Sequence, residues 1–198
     1  MELELLLRKQ FGYSSFRTGQ KEVITSLLEG KDTLAMLPTG TGKSLCYQLP
    51  AYILDGTCII ISPLLSLMQD QMEQMKMRGE KRVIALNSFL SFEEKKRALS
   101  RLGQFRFVFM SPEMLSNQRV LHELSKIRLS LFVVDEAHCI SQWGHDFRPD
   151  YLKIGEAREL LNRPLTLALT ATATEEVRTD IMKYLHLQDA NQWIVSVD

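Results

Sequence analysis

The stretch Pro38-Thr39-Gly40-Thr41-Gly42-Lys43-Ser44 constrains this chain more than any other. Before it, Thr33-Leu34-Ala35-Met36-Leu37 is apolar and predicts a buried strand; after it, Leu45-Cys46-Tyr47-Gln48-Leu49 starts a helix. A strand, a glycine-containing turn and a helix N-terminus form an anion site, because free backbone N–H groups converge there and the helix dipole favours negative charge. Thr39, Gly40, Thr41 and Gly42 supply the turn, the glycines letting the backbone curl round phosphates. Lys43 reaches the β- and γ-phosphates, and Ser44 offers a hydroxyl to Mg²⁺. The first glycine usual in such loops is absent, and Leu37 stands there. Gly-Lys-Ser alone is often only a turn; the strand before it and the helix after it favour the phosphate site.

The rest of the chain repeats that alternation. Apolar runs at Thr57–Ile61, Val83–Leu86, Phe107–Met110, Leu131–Val134, Leu165–Leu169 and Trp193–Val197 predict further strands. They are continuous, not alternating, as in strands buried on both faces of a parallel sheet. The gaps hold crossover helices. Residues 2–10 and Gly19–Leu28 predict helices, the second stopped by Gly30. Ser91-Phe92-Glu93-Glu94 reads as a capping box, and Thr174-Glu175-Glu176 opens another helix with acidic residues in its first turn. Met68, Met72 and Met75 recur at helical spacing and read as a core stripe, and Glu93–Arg97 as a solvated face. The expected fold is α/β, a mostly parallel sheet of about seven strands with helices on both faces.

Bulk properties narrow the class. With 198 residues the chain is long enough for one sizeable core. The 24 basic and 24 acidic residues cancel, so contact with nucleic acid must be local. Cys46, Cys58 and Cys139 are too dispersed for a Cys-x-x-Cys metal knuckle and suit a reducing compartment. No apolar run approaches the ~18 residues of a membrane helix, and the N-terminus lacks a signal-peptide core. The expectation is a soluble cytoplasmic domain without membrane contact.

A phosphate loop needs a second acidic group. Leu131-Phe132-Val133-Val134 delivers Asp135-Glu136-Ala137-His138 at a strand's carboxyl end, where ligands bind in such sheets. Asp135 is placed to hold Mg²⁺ through water, and Glu136 to orient and deprotonate an attacking water. Together the two sites indicate nucleoside-triphosphate hydrolysis. Downstream, Ser141–Pro149 carries Trp143, Phe147 and Arg148 on a glycine-containing stretch. Aromatic faces there suit base stacking, worth ~1–3 kcal/mol per base; the alternative is that Trp143 and Phe147 cover the core.

These motifs resemble the superfamily-two helicases, and more specifically the RecQ family of DNA helicases. The resemblance rests on Phe11-Gly12-Tyr13, Phe16-Arg17 with Gln20, Met36 through Gln48, Ser62-Pro63-Leu64 with Asp70-Gln71, the 15 residues from Asp135 to Pro149, and Leu169-Thr170-Ala171-Thr172-Ala173. It implies a RecA-like motor lobe that binds ATP and Mg²⁺, with His138 in the catalytic set beside Lys43, Asp135 and Glu136. Tyr13 and Arg17 would sandwich adenine and Gln20 hydrogen-bond its edge, in helices of residues 1–30; spacing alone leaves Tyr13 a turn-packing aromatic. Ser62, like Ser111, would meet a DNA backbone. Gln142, Trp143, His145, Phe147 and Arg148 would form the loop coupling single-stranded DNA to hydrolysis, and Thr170 and Thr172 would relay nucleotide state. Only 26 residues follow Thr172, too few for the second lobe of such motors; with three scattered cysteines and this length, no zinc module or winged helix is expected either. The chain therefore reads as the first motor lobe of a monomeric, ATP-dependent 3′→5′ DNA helicase, nucleoid-associated if bacterial, acting on single-stranded or partly duplex DNA with a second RecA-like lobe as partner. A non-catalytic nucleotide- and DNA-binding module, or a motor acting on RNA, are the alternatives.

Overall fold

The computed structural model describes residues 2–38, 42–87, 89–187 and 189–194. In chain order the elements are α1 (Leu3–Leu6), α2 (Gln20–Leu28), β1 (Thr33–Met36), α3 (Gly42–Ile53), β2 (Thr57–Ile61), α4 (Leu65–Met77), β3 (Val83–Leu86), α5 (Phe92–Leu99), β4 (Phe107–Met110), α6 (Gln118–Ser125), β5 (Leu129–Val134), α7 (Ile154–Leu160), β6 (Thr166–Thr170), α8 (Glu175–Tyr184) and β7 (Asn191–Ile194). The seven strands form one sheet in the order β3-β4-β2-β5-β6-β1-β7, with every pairing parallel.

The continuous apolar strands have the expected cause. Successive side chains point to opposite faces, and both faces are covered. Leu34, Ile59, Ile61, Val108, Met110, Phe132, Val134 and Ala168 pack with Leu99, Val120, Leu124, Ala157 and Ile181 of α5 to α8. Their neighbours Ala35, Cys58, Ile60, Phe109, Leu131, Val133 and Leu167 pack with Val23, Leu27, Tyr47, Met68 and Met75 of α2 to α4. The methionine stripe is thus core, Met68 and Met75 each being 1% exposed. All three cysteines are buried and unpaired with one another.

Local signals hold up where they name a mechanism. Ser91 and Glu94 form the capping box of α5, Thr174 accepts from the Val177 amide to cap α8, and Gly30 leaves α2 at φ +80°, a conformation glycine adopts without a Cβ penalty. Several boundaries differ: β1 ends at Met36, β6 runs Thr166–Thr170, and three others shift more. Residues 2–10 form α1 and then a π-helical turn, Leu7–Phe11, closed by Gly12. Strand β5 starts two residues before its apolar run, because Leu129 already pairs with Thr57 of β2, across a register shift at Ser130. Strand β7 pairs β1 from Asn191, and Val195–Val197 lie outside the described residues.

Two packing features position the site. Leu7 of the π-turn joins Ile24, Leu45 and Leu49 in a separate cluster, which pins the N-terminal helices against α3. At the opposite, amino edge of the sheet, Asp32 accepts from the buried Arg158 guanidinium at 2.6 Å and from the Thr166 amide at 2.9 Å, tying β1 to β6 and α7. The carboxyl ends of β2, β5, β6 and β1, four adjacent strands, face one edge.

Candidate active site

Four strand ends place Ser62, Asp135, Thr170 and Leu37 side by side. Lys43, Ser44, Tyr47, Ser62, Asp135 and Glu136 line a cavity of about 240 Å³ at the start of α3. Of the turn itself, Thr39, Gly40 and Thr41 lie outside the described residues. Leu37, standing where a glycine is usual, is buried, and its amide donates to the Thr170 carbonyl at 3.0 Å. The strand thus continues one residue further before the chain turns.

The two acidic residues sit differently. The Asp135 amide donates to the Ile61 carbonyl at 2.9 Å, which extends β5 by one bond. Burial pushes its carboxyl up to about 6, with nearby Glu136 acting in the same direction and Lys43 opposing. Glu136 holds a left-handed backbone, φ 51° and ψ 45°, which costs a residue with a Cβ ~1–3 kcal/mol and persists only where surroundings impose it. Its amide donates to Asp135 Oδ1 at 2.9 Å, and Lys43 Nζ lies 3.9 Å from its Oε1. Ser44 and Asp135 present hard oxygen donors to the same cavity as Lys43, the donor chemistry that suits Mg²⁺.

His138 connects this pair to β6. Its Nδ1 is 2.8 Å from Thr170 Oγ1, and that hydroxyl donates to the Thr172 carbonyl at 3.0 Å. With its one proton so committed, Thr170 accepts from His138 Nδ1–H. Burial lowers the His138 pKa, and Glu136 opposes that shift. On its other side the ring places Nε2 3.6 Å from Glu136 Oε2. Glu136 can take a proton from water, with the His138 ring beside it tying it to Thr170.

The charge-removing variant Asp135→Asn has a signed pH consequence. Because Asp135 titrates higher in the fold than the ordinary 3.8, its ionisation penalises the folded state, and the penalty accumulates as pH rises from about 4 to about 6. Thermal melts of the nucleotide-free chain in chelator are expected to show Asp135→Asn melting above the parent at pH 7, with the gap closing toward pH 4. A gap that does not change with pH would contradict this.

Beside Gly42, the first described residue of α3, Gln20 is 4% exposed. Its Nε2 donates to the Gly42 carbonyl at 2.8 Å and its Oε1 accepts from the Arg17 amide at 2.7 Å. A primary amide has a second proton and a second lone pair, so Gln20 can hold Gly42 and still face a base edge. Tyr13 and Arg17 are exposed, Tyr13 at 48%, and Arg17 borders Gly42. Gln20→Ala is expected to weaken ATP more than GTP, since loss of paired hydrogen bonds costs discrimination. Titration of both nucleotides checks it, and an unchanged affinity ratio would leave Gln20 a residue that positions Gly42 and Arg17 without reading the base.

The loop after β5 is exposed but organised. Trp143 is 77% exposed, Gln142 and His145 are exposed, and Phe147 and Arg148 are half-buried. The alternative that Trp143 covers the core therefore fails. Ser141 Oγ donates to Asp180 of α8 at 2.7 Å and accepts from the Trp143 amide at 3.1 Å. A Cβ on Gly144 would meet the His138 carbonyl at 2.7 Å, so this close crossing requires glycine. The His145 ring stacks on His138, centroids 4.4 Å apart. Thr172 is exposed beside buried Thr170.

Ser62 sits at the end of β2 with its hydroxyl on the cavity. Its side chain is 3% exposed, its Oγ is buried without a partner, and its amide donates to the Met110 carbonyl. The amide is engaged because β2 continues its pairing through Ser62, while the hydroxyl borders the cavity that Lys43 and Asp135 also line. Ser111 is equally buried, with its amide on the Leu86 carbonyl. Conversely, Tyr151, fully buried and bonded to the Asp135 carbonyl at 2.7 Å, carries no local sequence signal that marks it as part of the site.

Comparison with known proteins agrees with this geometry. Residues 17–180 match the DEAD/DEAH box helicase family. The Bacillus subtilis protein named "Probable ATP-dependent DNA helicase RecS" is 55% identical over 197 residues, 100% of this chain and 40% of that protein. The ATP-dependent DNA helicase RecQ of Pasteurella multocida is 44% identical, covering 98% of this chain and 31% of its own length. The chain thus spans less than half of either relative. The solved structure of the Mycobacterium smegmatis helicase Lhr bound to ssDNA and AMP-PNP superimposes with a TM-score of 0.75 over 98% of this chain and 27% of that one, at 20% identity, a likeness of fold. No described helix is long and apolar enough to cross a membrane. Motifs, sheet and site converge, and the chain belongs to the DEAD/DEAH box helicase family, its similarity within that family being to the RecQ-type helicases.

Proposed function

We propose that the chain is the first motor lobe of a longer RecQ-type helicase that couples ATP hydrolysis to 3′→5′ movement along single-stranded DNA and so separates duplexes. One observation carries this reading: the loop bearing exposed Trp143 leaves directly from Glu136–His138, so a surface suited to stacked bases adjoins the acidic pair of a phosphate site. Tyr13, Arg17 and Gln20 receive the adenine, and residues 39–43 the phosphates. Ser44 and Asp135 hold Mg²⁺, which when bound neutralises charge on the phosphates. Glu136 orients and deprotonates water, with His138 and Thr170 reporting to Thr172. A second lobe, outside this chain, closes over the nucleotide. A monomer working in the cytoplasm, on the nucleoid in a bacterium, suits this role.

The test is ATP hydrolysis by the full-length protein with and without single-stranded DNA, together with separation of a duplex carrying a 3′ tail. Stimulation by DNA and unwinding from the 3′ tail are expected, both lost in Glu136→Gln. Equal stimulation by RNA, or none by DNA, would overturn the reading.

A further inference from the structure

Tyr151 has no part in the roles assigned so far, yet it joins the two halves of the site. It lies on the short 3-10 turn Pro149–Lys153 that follows the exposed loop, with no surface of its own exposed. Its hydroxyl crosses back sixteen residues and donates to the main-chain carbonyl of Asp135 at 2.7 Å. That carbonyl belongs to the peptide joining Asp135 to Glu136, and the N–H of the same peptide donates to Asp135 Oδ1 at 2.9 Å. A peptide unit is planar. Holding its oxygen therefore holds its N–H, which orients the Asp135 carboxylate and keeps Glu136 at its left-handed φ of 51°. Such a backbone relaxes unless something holds it, and the Tyr151 hydroxyl is placed to do so.

The other end of Tyr151 is attached to the loop. Its amide donates to the Arg148 carbonyl at 3.0 Å, and the Arg148 amide donates to the Cys139 carbonyl at 2.8 Å. The Arg148 side chain is paired with Asp146 at 3.3 Å. A shift of the half-buried Arg148 thus reaches the tyrosine through one short turn. This backbone route is separate from the side-chain route through His145, His138 and Thr170.

We propose that Tyr151 is a positioning residue whose hydroxyl lets nucleic acid bound at Trp143–Arg148 set the Asp135–Glu136 peptide in its hydrolytic orientation. This rests on the reading that DNA stimulates hydrolysis.

The test uses the full-length protein and Tyr151→Phe, which removes one oxygen and leaves the ring. The DNA-stimulated kcat is expected to fall about tenfold or more, since small misplacements of catalytic groups carry such losses, with KM for ATP and affinity for single-stranded DNA within about twofold. In a double-mutant cycle with Trp143→Ala the losses are expected not to multiply, the double variant being no worse than the poorer single one. An unchanged kcat, a parallel rise in KM, or multiplying losses would each overturn the role. Hydrogen exchange on the unmutated protein adds a readout independent of the variant's folding: the Glu136 amide is expected to exchange more slowly when single-stranded DNA is added, and an unaltered rate would overturn the proposal. An unmutated protein indifferent to DNA would remove the proposed function and this role together. DNA-stimulated hydrolysis with an uncoupled Tyr151 would remove this role alone.

Discussion

Expressed alone, the 198-residue chain is expected to bind ADP and ATP yet hydrolyse ATP ~10³–10⁵-fold more slowly than the longer protein proposed above. The groups that hold nucleotide are here: Lys43, Ser44 and Asp135 on one cavity, with Gln20 fixed to Gly42 beside it. What the transition state also needs is positive charge on the far side of the γ-phosphate. Among the described residues lining the cavity the cation is Lys43, which lies 3.9 Å from Glu136, and no arginine reaches it. An arginine from a second lobe is typically worth that factor in rate. Binding of a fluorescent ADP analogue and steady-state turnover, with and without single-stranded DNA, check both halves. DNA-stimulated turnover at full-length rates in this chain would sink the idea.

Trp143→Ala is expected to leave the fold nearly intact and abolish stimulation by DNA. The indole is 77% exposed, and the loop is held by main-chain and Ser141 contacts that alanine retains. Surface changes of this kind cost within ~0.5 kcal/mol, whereas truncating a core tryptophan costs ~3–5 kcal/mol. Melts of the isolated chain should therefore shift by a degree or two, and its ADP affinity should hold. In the full-length protein the response of hydrolysis to DNA should vanish, because a stacking surface worth ~1–3 kcal/mol per base is gone. A melting temperature lowered by many degrees would place Trp143 in the core after all.

Parts of this molecule are determined by the sequence because their causes are local. Continuous apolar runs locate the strands, since burial on both faces leaves no polar alternation. Ser91 with Glu94, Thr174 and Gly30 mark helix ends through groups within a few residues of one another. The strand β1 and the helix α3 that flank the expected phosphate turn are legible because each is marked by its own run, as is the Asp135–Glu136 pair at the end of an apolar strand. The tertiary structure alone decides what depends on distant partners. Parallel strands joined by crossovers can be ordered many ways, so nothing local says that β5 and β6 lie between β2 and β1 and bring Ser62, Asp135, Thr170 and Leu37 into one row. The same pairing buries Ser62, which its Ser-Pro turn alone would leave at the surface. Exposure of Trp143 against half-burial of Phe147, four residues on, follows from where α8 and Gly144 hold the loop. The bond from Tyr151 to the Asp135 carbonyl has no sequence signal at all, because a buried hydroxyl's partner is set by packing and not by spacing along the chain.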